Sequence, residues 1–173
     1  MKTRFITLMM AVFLMFGYSS CTAKAEKNDS EKPTESVSEA GKATTMLTKA
    51  IFLEKVWDYE SSPKEWKYKG DKPALIDFYA DWCGPCRTAA PILEEVAAEF
   101  SGEVIVYKID TQVERELAAV FGVKSIPAFL YIPMEGRPTM ASGIARTKED
   151  TKKMFTENIN TILLNKQAGK SAL

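Results

Sequence analysis

Two cysteines separated by two residues, Cys83 and Cys86, are the side chains of this sequence best suited to chemistry. They lie in "DFYADWCGPCRTAAP", residues 77–91, where an apolar run meets a helical pattern. Such a pair can be a redox couple, half of a metal site or part of an ordinary turn. The chain has no His and one other cysteine, Cys21. Hydrolases that use Ser-His-Asp or Cys-His groups are therefore excluded, and a structural zinc site lacks sufficient ligands.

The elements around the pair form a βαβ pattern. Residues 74–80, "ALIDFYA", are a nearly continuous apolar run, which predicts a central strand covered by helices on both faces. Helical spacing of apolar residues in 91–100 predicts a helix, and the β-branched run at 103–110 predicts a second strand. A cysteine pair placed after the first strand of such a unit, where the helix opens, is typical of a redox-active dithiol.

Further segments complete an α/β fold with a central mixed β-sheet flanked by helices on both faces. The predicted elements are a helix from N-cap Thr48 to about Asp58, a loop at 61–72, a short helix at 113–121, an antiparallel hairpin built from "VKSIPAFLYIP" and "EGRPTMASG", and an amphipathic helix at 148–164.

The position of each thiol predicts its role. Free N–H groups and the macrodipole at a helix N-terminus favour an anion, so we expect a lowered pKa for Cys83, the nucleophile. Cys86, one turn later and deeper, would resolve the mixed disulfide. Asp77 is a carboxylate in an apolar strand, where desolvation would raise its pKa and let it carry the proton of the second thiol. Alternatively, Asp77 reaches solvent at the strand end.

The region from about Leu75 to Leu164 resembles the thioredoxin family. The resemblance rests on Trp82-Cys83-Gly84-Pro85-Cys86, Asp77, Pro91, Ile126-Pro127 and Gly143. It implies a thioredoxin fold, disulfide exchange at Cys83 and Cys86, and a substrate-binding surface that includes Trp82, Gly84, Pro85, Ile126 and Pro127.

The resemblance also implies details that the residues alone do not settle. A cis bond before Pro127 would expose the backbone of Ile126 to an extended substrate, whereas a trans bond at a strand start is the ordinary alternative. Many thioredoxins place a Lys beside the buried Asp. Counting along the strand assigns that position to Val106 and places Lys108 on a different face.

The N-terminal region carries the features of an exported protein. Residues 1–21 have a charged start, an apolar run and small residues, which predict a signal peptide rather than a buried terminal helix. Cys21 follows Ser-Ser as in a bacterial lipobox and is a lipidation candidate, although "AKA" at 23–25 could be an ordinary cleavage site. Residues 22–45 predict a flexible linker, which leaves 46–173 as the thioredoxin domain.

Together these features predict a protein-disulfide reductase of the periplasm or cell envelope. Its expected partners are disulfide-containing substrate proteins, a membrane electron shuttle and the membrane itself through a lipid anchor. Lys and Arg number 23, as do Asp and Glu, so no nucleic-acid partner is expected. We expect a monomer without cofactor or metal. The alternatives are a reductant for cytochrome c maturation and a non-enzymatic, thiol-bearing binding module.

Overall fold

The computed structural model describes residues 42–166. The predicted signal peptide with Cys21, most of the predicted linker and the last residues lie outside this range. Within it, no helix is long and apolar enough to cross a membrane. The elements in chain order are β1 (Thr45–Met46), α1 (Lys49–Lys55), β2 (Ala74–Tyr79), α2 (Gly84–Glu99), β3 (Ile105–Asp110), α3 (Arg115–Val120), β4 (Ala128–Ile132), β5 (Thr139–Ser142) and α4 (Lys148–Asn158), which continues as a π-helical turn (Ile159–Leu163).

The strands form one mixed sheet in the order β1-β3-β2-β4-β5. Strands β1 and β2 both pair with β3 in parallel, whereas β4 runs antiparallel to β2 and to β5. The parallel β2–α2–β3 unit and the β4–β5 hairpin were both expected from the sequence. This sheet confirms the predicted α/β thioredoxin fold.

Hydrophobic cores cover both faces of the sheet, as the apolar run in β2 predicts. On one face Leu75 packs in a cluster with residues of α2 and α4, including Leu93 and Phe155. On the other face Ile76 packs with residues of α1 and α3, including Phe52 and Leu117. Because side chains alternate along a strand, the apolar run in β2, the central strand of the sheet, supplies both cores.

The folded region begins earlier than the predicted end of the linker at residue 45. Strand β1 starts at Thr45 and pairs with β3. The N–H groups of Ala43 and Thr44 donate to Glu94 Oε2 at 2.9 and 3.2 Å, and the Thr44 hydroxyl donates to Glu94 Oε1. These contacts use backbone and hydroxyl groups, so the polar composition of the segment does not reveal them.

Candidate active site

The two cysteines lie at the junction between β2 and α2. Cys83 is the N-cap residue of α2, with extended backbone, and its Sγ accepts the N–H of Cys86 at 3.2 Å. Pro85 occupies the first turn, where its missing N–H leaves no helical hydrogen bond unmade. Cys83 and Cys86 form a disulfide, with their Cα atoms 5.2 Å apart. The chain therefore holds the pair at the start of a long helix.

The expectation that Cys86 is the deeper thiol is wrong for this oxidised form, since each cysteine is 3% exposed. The disulfide brings the sulfurs together, so burial of the whole residue does not separate them. The residues around each cysteine distinguish the two positions. Cys83 follows Trp82, which is 66% exposed, whereas Cys86 lies within α2 and lines a cavity together with Asp77.

Asp77 is the buried titratable group of the site. Its side chain is 1% exposed, so the alternative in which it reaches solvent is wrong. Within residues 42–166, neither carboxylate oxygen has a hydrogen-bond partner. Desolvation raises the pKa of Asp77 to about 7, and the positive charge of Lys108 opposes that rise only in part. A carboxyl group with this pKa can accept and return a proton near neutral pH.

Lys108, not Val106, is the residue beside Asp77, which corrects the prediction from the sequence. The β2–β3 register places Lys108 opposite Asp77 and Val106 opposite Leu75. Since side chains alternate along a strand, Val106 and Lys108 share one face. The sequence of one strand does not show which of its residues lies opposite Asp77, because that depends on the register between β2 and β3. The Lys108 ammonium lies 4.6 Å from the centre of the Tyr79 ring, a cation–π contact.

A cavity of about 250 Å³ connects these groups. Asp77 and Cys86 both line it, together with Lys108 and Arg87. Its volume is several times the roughly 30 Å³ that one water occupies in the liquid. Water in this space could carry a proton between the Cys86 thiol and the Asp77 carboxylate. Sequence reasoning missed Arg87, since a Lys or Arg in the first helical turn is by itself an ordinary surface residue.

The residues predicted to bind substrate lie around the dithiol at different depths. Trp82, Gly84 and Pro85 are exposed, Ile126 is half-buried and Pro127 is buried. The Ile126–Pro127 peptide bond is cis, as the resemblance implies.

A turn residue supports Pro127 from the neighbouring strand. Gly143 donates its N–H to the Pro127 carbonyl at 2.8 Å. Gly143 has φ +82°, a conformation that L side chains rarely adopt. The contact of these residues with substrate stays a prediction. Within the described range, no group of three His, Cys, Asp or Glu side chains could hold a metal ion.

A dithiol at a strand-to-helix junction, backed by a buried carboxylate, is the site of a thiol–disulfide oxidoreductase. The family description "Thioredoxin" matches residues 59–157, which include the dithiol, Asp77 and Pro127. The chain belongs to the thioredoxin family and is a disulfide reductase that works by dithiol–disulfide exchange.

Known thioredoxins resemble this chain over the same region. The thioredoxin of Borreliella burgdorferi is 43% identical over 97 residues, which are 56% of this chain and 82% of that protein. Thioredoxin 1 of a Nostoc species is 38% identical over 88 residues, 51% of this chain and 72% of that protein. The chloroplastic M-type thioredoxin of Spinacia oleracea is 40% identical over 72 residues, 42% of this chain. That match covers only 40% of the spinach protein.

Proposed function

We propose that this protein reduces disulfides of substrate proteins at the cell envelope and is recharged by a membrane electron shuttle. The observation that carries the proposal is the Cys83–Cys86 pair at the start of α2, with Asp77 and Cys86 lining one cavity. The Gly-Pro dipeptide between the cysteines, which is that of reducing thioredoxins, supports reduction over oxidation.

The exchange proceeds in two displacements. The Cys83 thiolate attacks one sulfur of the substrate disulfide, so that a mixed disulfide forms and the other substrate sulfur leaves as a thiolate. Cys86 then transfers its proton to Asp77, and its thiolate attacks Cys83 Sγ. The second substrate thiolate leaves, and the two substrate thiolates take up two protons, one returned from Asp77 and one from solvent. The substrate disulfide gains two electrons and becomes two thiols, while the protein dithiol becomes a disulfide.

The proposed location is supported by the sequence of residues 1–21, with its charged start, apolar run and Ser-Ser-Cys end. A lipid on Cys21 would leave the segment from residue 22 to the anchored Ala43 as a tether. If this segment behaved as a flexible coil, its r.m.s. reach would be roughly 25 Å. In an oxidising compartment the dithiol is consumed, which is why a membrane electron shuttle is part of the proposal.

Trapping of intermediates tests the exchange. In Cys86→Ser, the Cys83 thiolate still attacks substrate but nothing resolves the product, so mixed disulfides accumulate and appear on non-reducing gels. Cys83→Ser is the matched control and should trap far less. If Cys86→Ser forms no mixed disulfide with cell-envelope proteins, the non-enzymatic binding module is the better description.

Two further measurements test direction and location. The redox potential of the Cys83–Cys86 couple against glutathione should lie nearer the roughly −270 mV of thioredoxin than the roughly −120 mV of a strong periplasmic oxidase. A potential at the oxidising end would contradict the reductase direction. Mass analysis of the mature protein should find acylated Cys21 at the N-terminus, and an unmodified terminus at Glu26 would exclude the lipid anchor.

A further inference from the structure

An open groove begins at Trp82, beside the nucleophilic cysteine, and continues along α3. Its volume is about 500 Å³, and we call it the Trp82 groove. The apolar residues in its lining are Trp82, Ala118, Ala119, Val123 and Ile126. Because it lies between Trp82 and the residue before Pro127, a chain that presents its disulfide to Cys83 would extend into it.

Two cations line this groove, and no carboxylate side chain does. Arg115, the first residue of α3, and Lys124 both contribute to the lining and are both exposed. Among residues 42–166, no Asp or Glu forms an ion pair with either of them. The Nε of Arg115 donates to the Gln112 carbonyl at 3.2 Å, which holds the side chain at the start of the helix.

Two acidic side chains next to the lining residues of the groove have other partners. Glu116 forms an ion pair with Lys49 at 2.8 Å. The Asp110 carboxylate accepts the N–H of Gln112 at 2.8 Å. Arg115 and Lys124 are thus the charged side chains in the lining of the groove, in a chain whose Lys and Arg balance its Asp and Glu.

We propose that the Trp82 groove selects disulfide-bearing segments with an Asp or Glu side chain near the reacting cysteine. This inference rests on the proposed reduction of substrate proteins and names the class of substrate that is reduced fastest. The apolar residues of the groove contact the substrate segment, and Arg115 and Lys124 attract its carboxylate. An exposed ion pair gives about a twofold to fivefold effect, so two cations that act additively give about fourfold to twenty-five-fold.

A peptide panel in single-turnover reactions tests the proposal. Each peptide carries one cysteine in a mixed disulfide with 2-mercaptoethanol and one Glu or Gln at a successive position on either side. The reduced protein becomes the Cys83–Cys86 disulfide and releases the peptide thiol and mercaptoethanol, which chromatography quantifies. At the best position, kcat/KM for Glu should exceed that for Gln by about fourfold to twenty-five-fold, and added salt should lower this ratio by screening.

Matched charge variants assign the effect to the groove. The double variant Arg115→Gln/Lys124→Gln should bring the Glu-to-Gln ratio close to one, whereas Arg115→Lys/Lys124→Arg should keep it. The control Lys64→Gln/Arg137→Gln removes the same charge from a separate surface hollow beside Trp57 and should leave the ratio unchanged. Using a ratio within each variant cancels any loss of folding or of intrinsic thiol reactivity.

The outcomes separate this inference from the proposed function. No Glu preference at any position in the native protein would overturn the inference, as would a preference that survives in Arg115→Gln/Lys124→Gln. Failure of the proposed function has a different signature, namely no reduction of the neutral bis(2-hydroxyethyl) disulfide and no mixed disulfide in Cys86→Ser.

Discussion

Replacing Asp77 by Asn should stabilise the protein by an amount that grows with pH. The side chain is almost completely buried, and neither oxygen has a partner within residues 42–166. Its folded pKa of about 7 lies above its ordinary value of 3.8. The native state therefore binds this proton more tightly than the unfolded chain does, and native stability falls as pH rises between the two values.

The size of the effect follows from the two pKa values. Below pH 3.8 the carboxyl is protonated in both the folded and the unfolded state. Asn has nearly the same shape as the protonated Asp, so the substitution should change the free energy of unfolding very little there. Between 3.8 and about 7 each pH unit removes about 1.4 kcal/mol of native stability. Above pH 7 the ionised Asp77 has lowered the free energy of unfolding by about 4 kcal/mol in total. The Asp77→Asn variant should be more stable than the native protein by most of this amount.

Urea unfolding of the oxidised proteins at a series of pH values from about 4 to 8 measures this difference. The free energy of unfolding of Asp77→Asn minus that of the native protein should be small at the acid end and reach a plateau above pH 7. Asp81→Asn is the control, since Asp81 is exposed and should give a nearly flat difference. A flat difference for Asp77→Asn would refute the assignment of a desolvated carboxyl.

Three other substitutions test the site and the fold. Lys108→Gln removes the cation that lowers the pKa of Asp77, so the carboxyl resonance should titrate at higher pH by NMR. An unchanged titration would contradict this. Thr147→Ala removes the α4 cap on the Asp150 N–H and should cost about 1 kcal/mol. Phe155→Ala empties a fully buried site and should cost about 3–5 kcal/mol. Urea unfolding measures both, and losses under half these sizes would contradict them.

Most elements of the fold follow from hydrophobic patterns that depend on local sequence. Strand β2 is apolar along its length because both faces are covered, and the structure bounds it within one residue of the prediction. Helix α2 was less well delimited. Apolar spacing identified its second half from Pro91, whereas its first turn at Gly84 is defined by the Cys83 cap and not by an apolar face.

The sequence identified the individual residues of the site, but it did not show which of them lie next to one another in the fold. Asp77, Cys83 and Cys86 could be named because a charged residue in an apolar strand and a paired thiol are unusual in type. The partnership of Asp77 with Lys108 depends on the register between two strands. The two cations of the Trp82 groove come from α3 and from the segment before β4, and no local pattern links them.

The position of Lys108 explains how Asp77 can work as a base. Within the described range the Asp77 oxygens accept no hydrogen bond, and the Lys108 ammonium lies over the Tyr79 ring. A direct ion pair with Lys108 would lower the pKa of Asp77 and weaken it as a proton acceptor for Cys86. Because the Lys108 ammonium contacts the Tyr79 ring instead, its charge lowers the pKa of Asp77 less than an ion pair would. Desolvation therefore remains the larger influence on that pKa. The unpartnered carboxylate destabilises the fold at neutral pH, and in return its pKa lies where it can exchange a proton with a thiol.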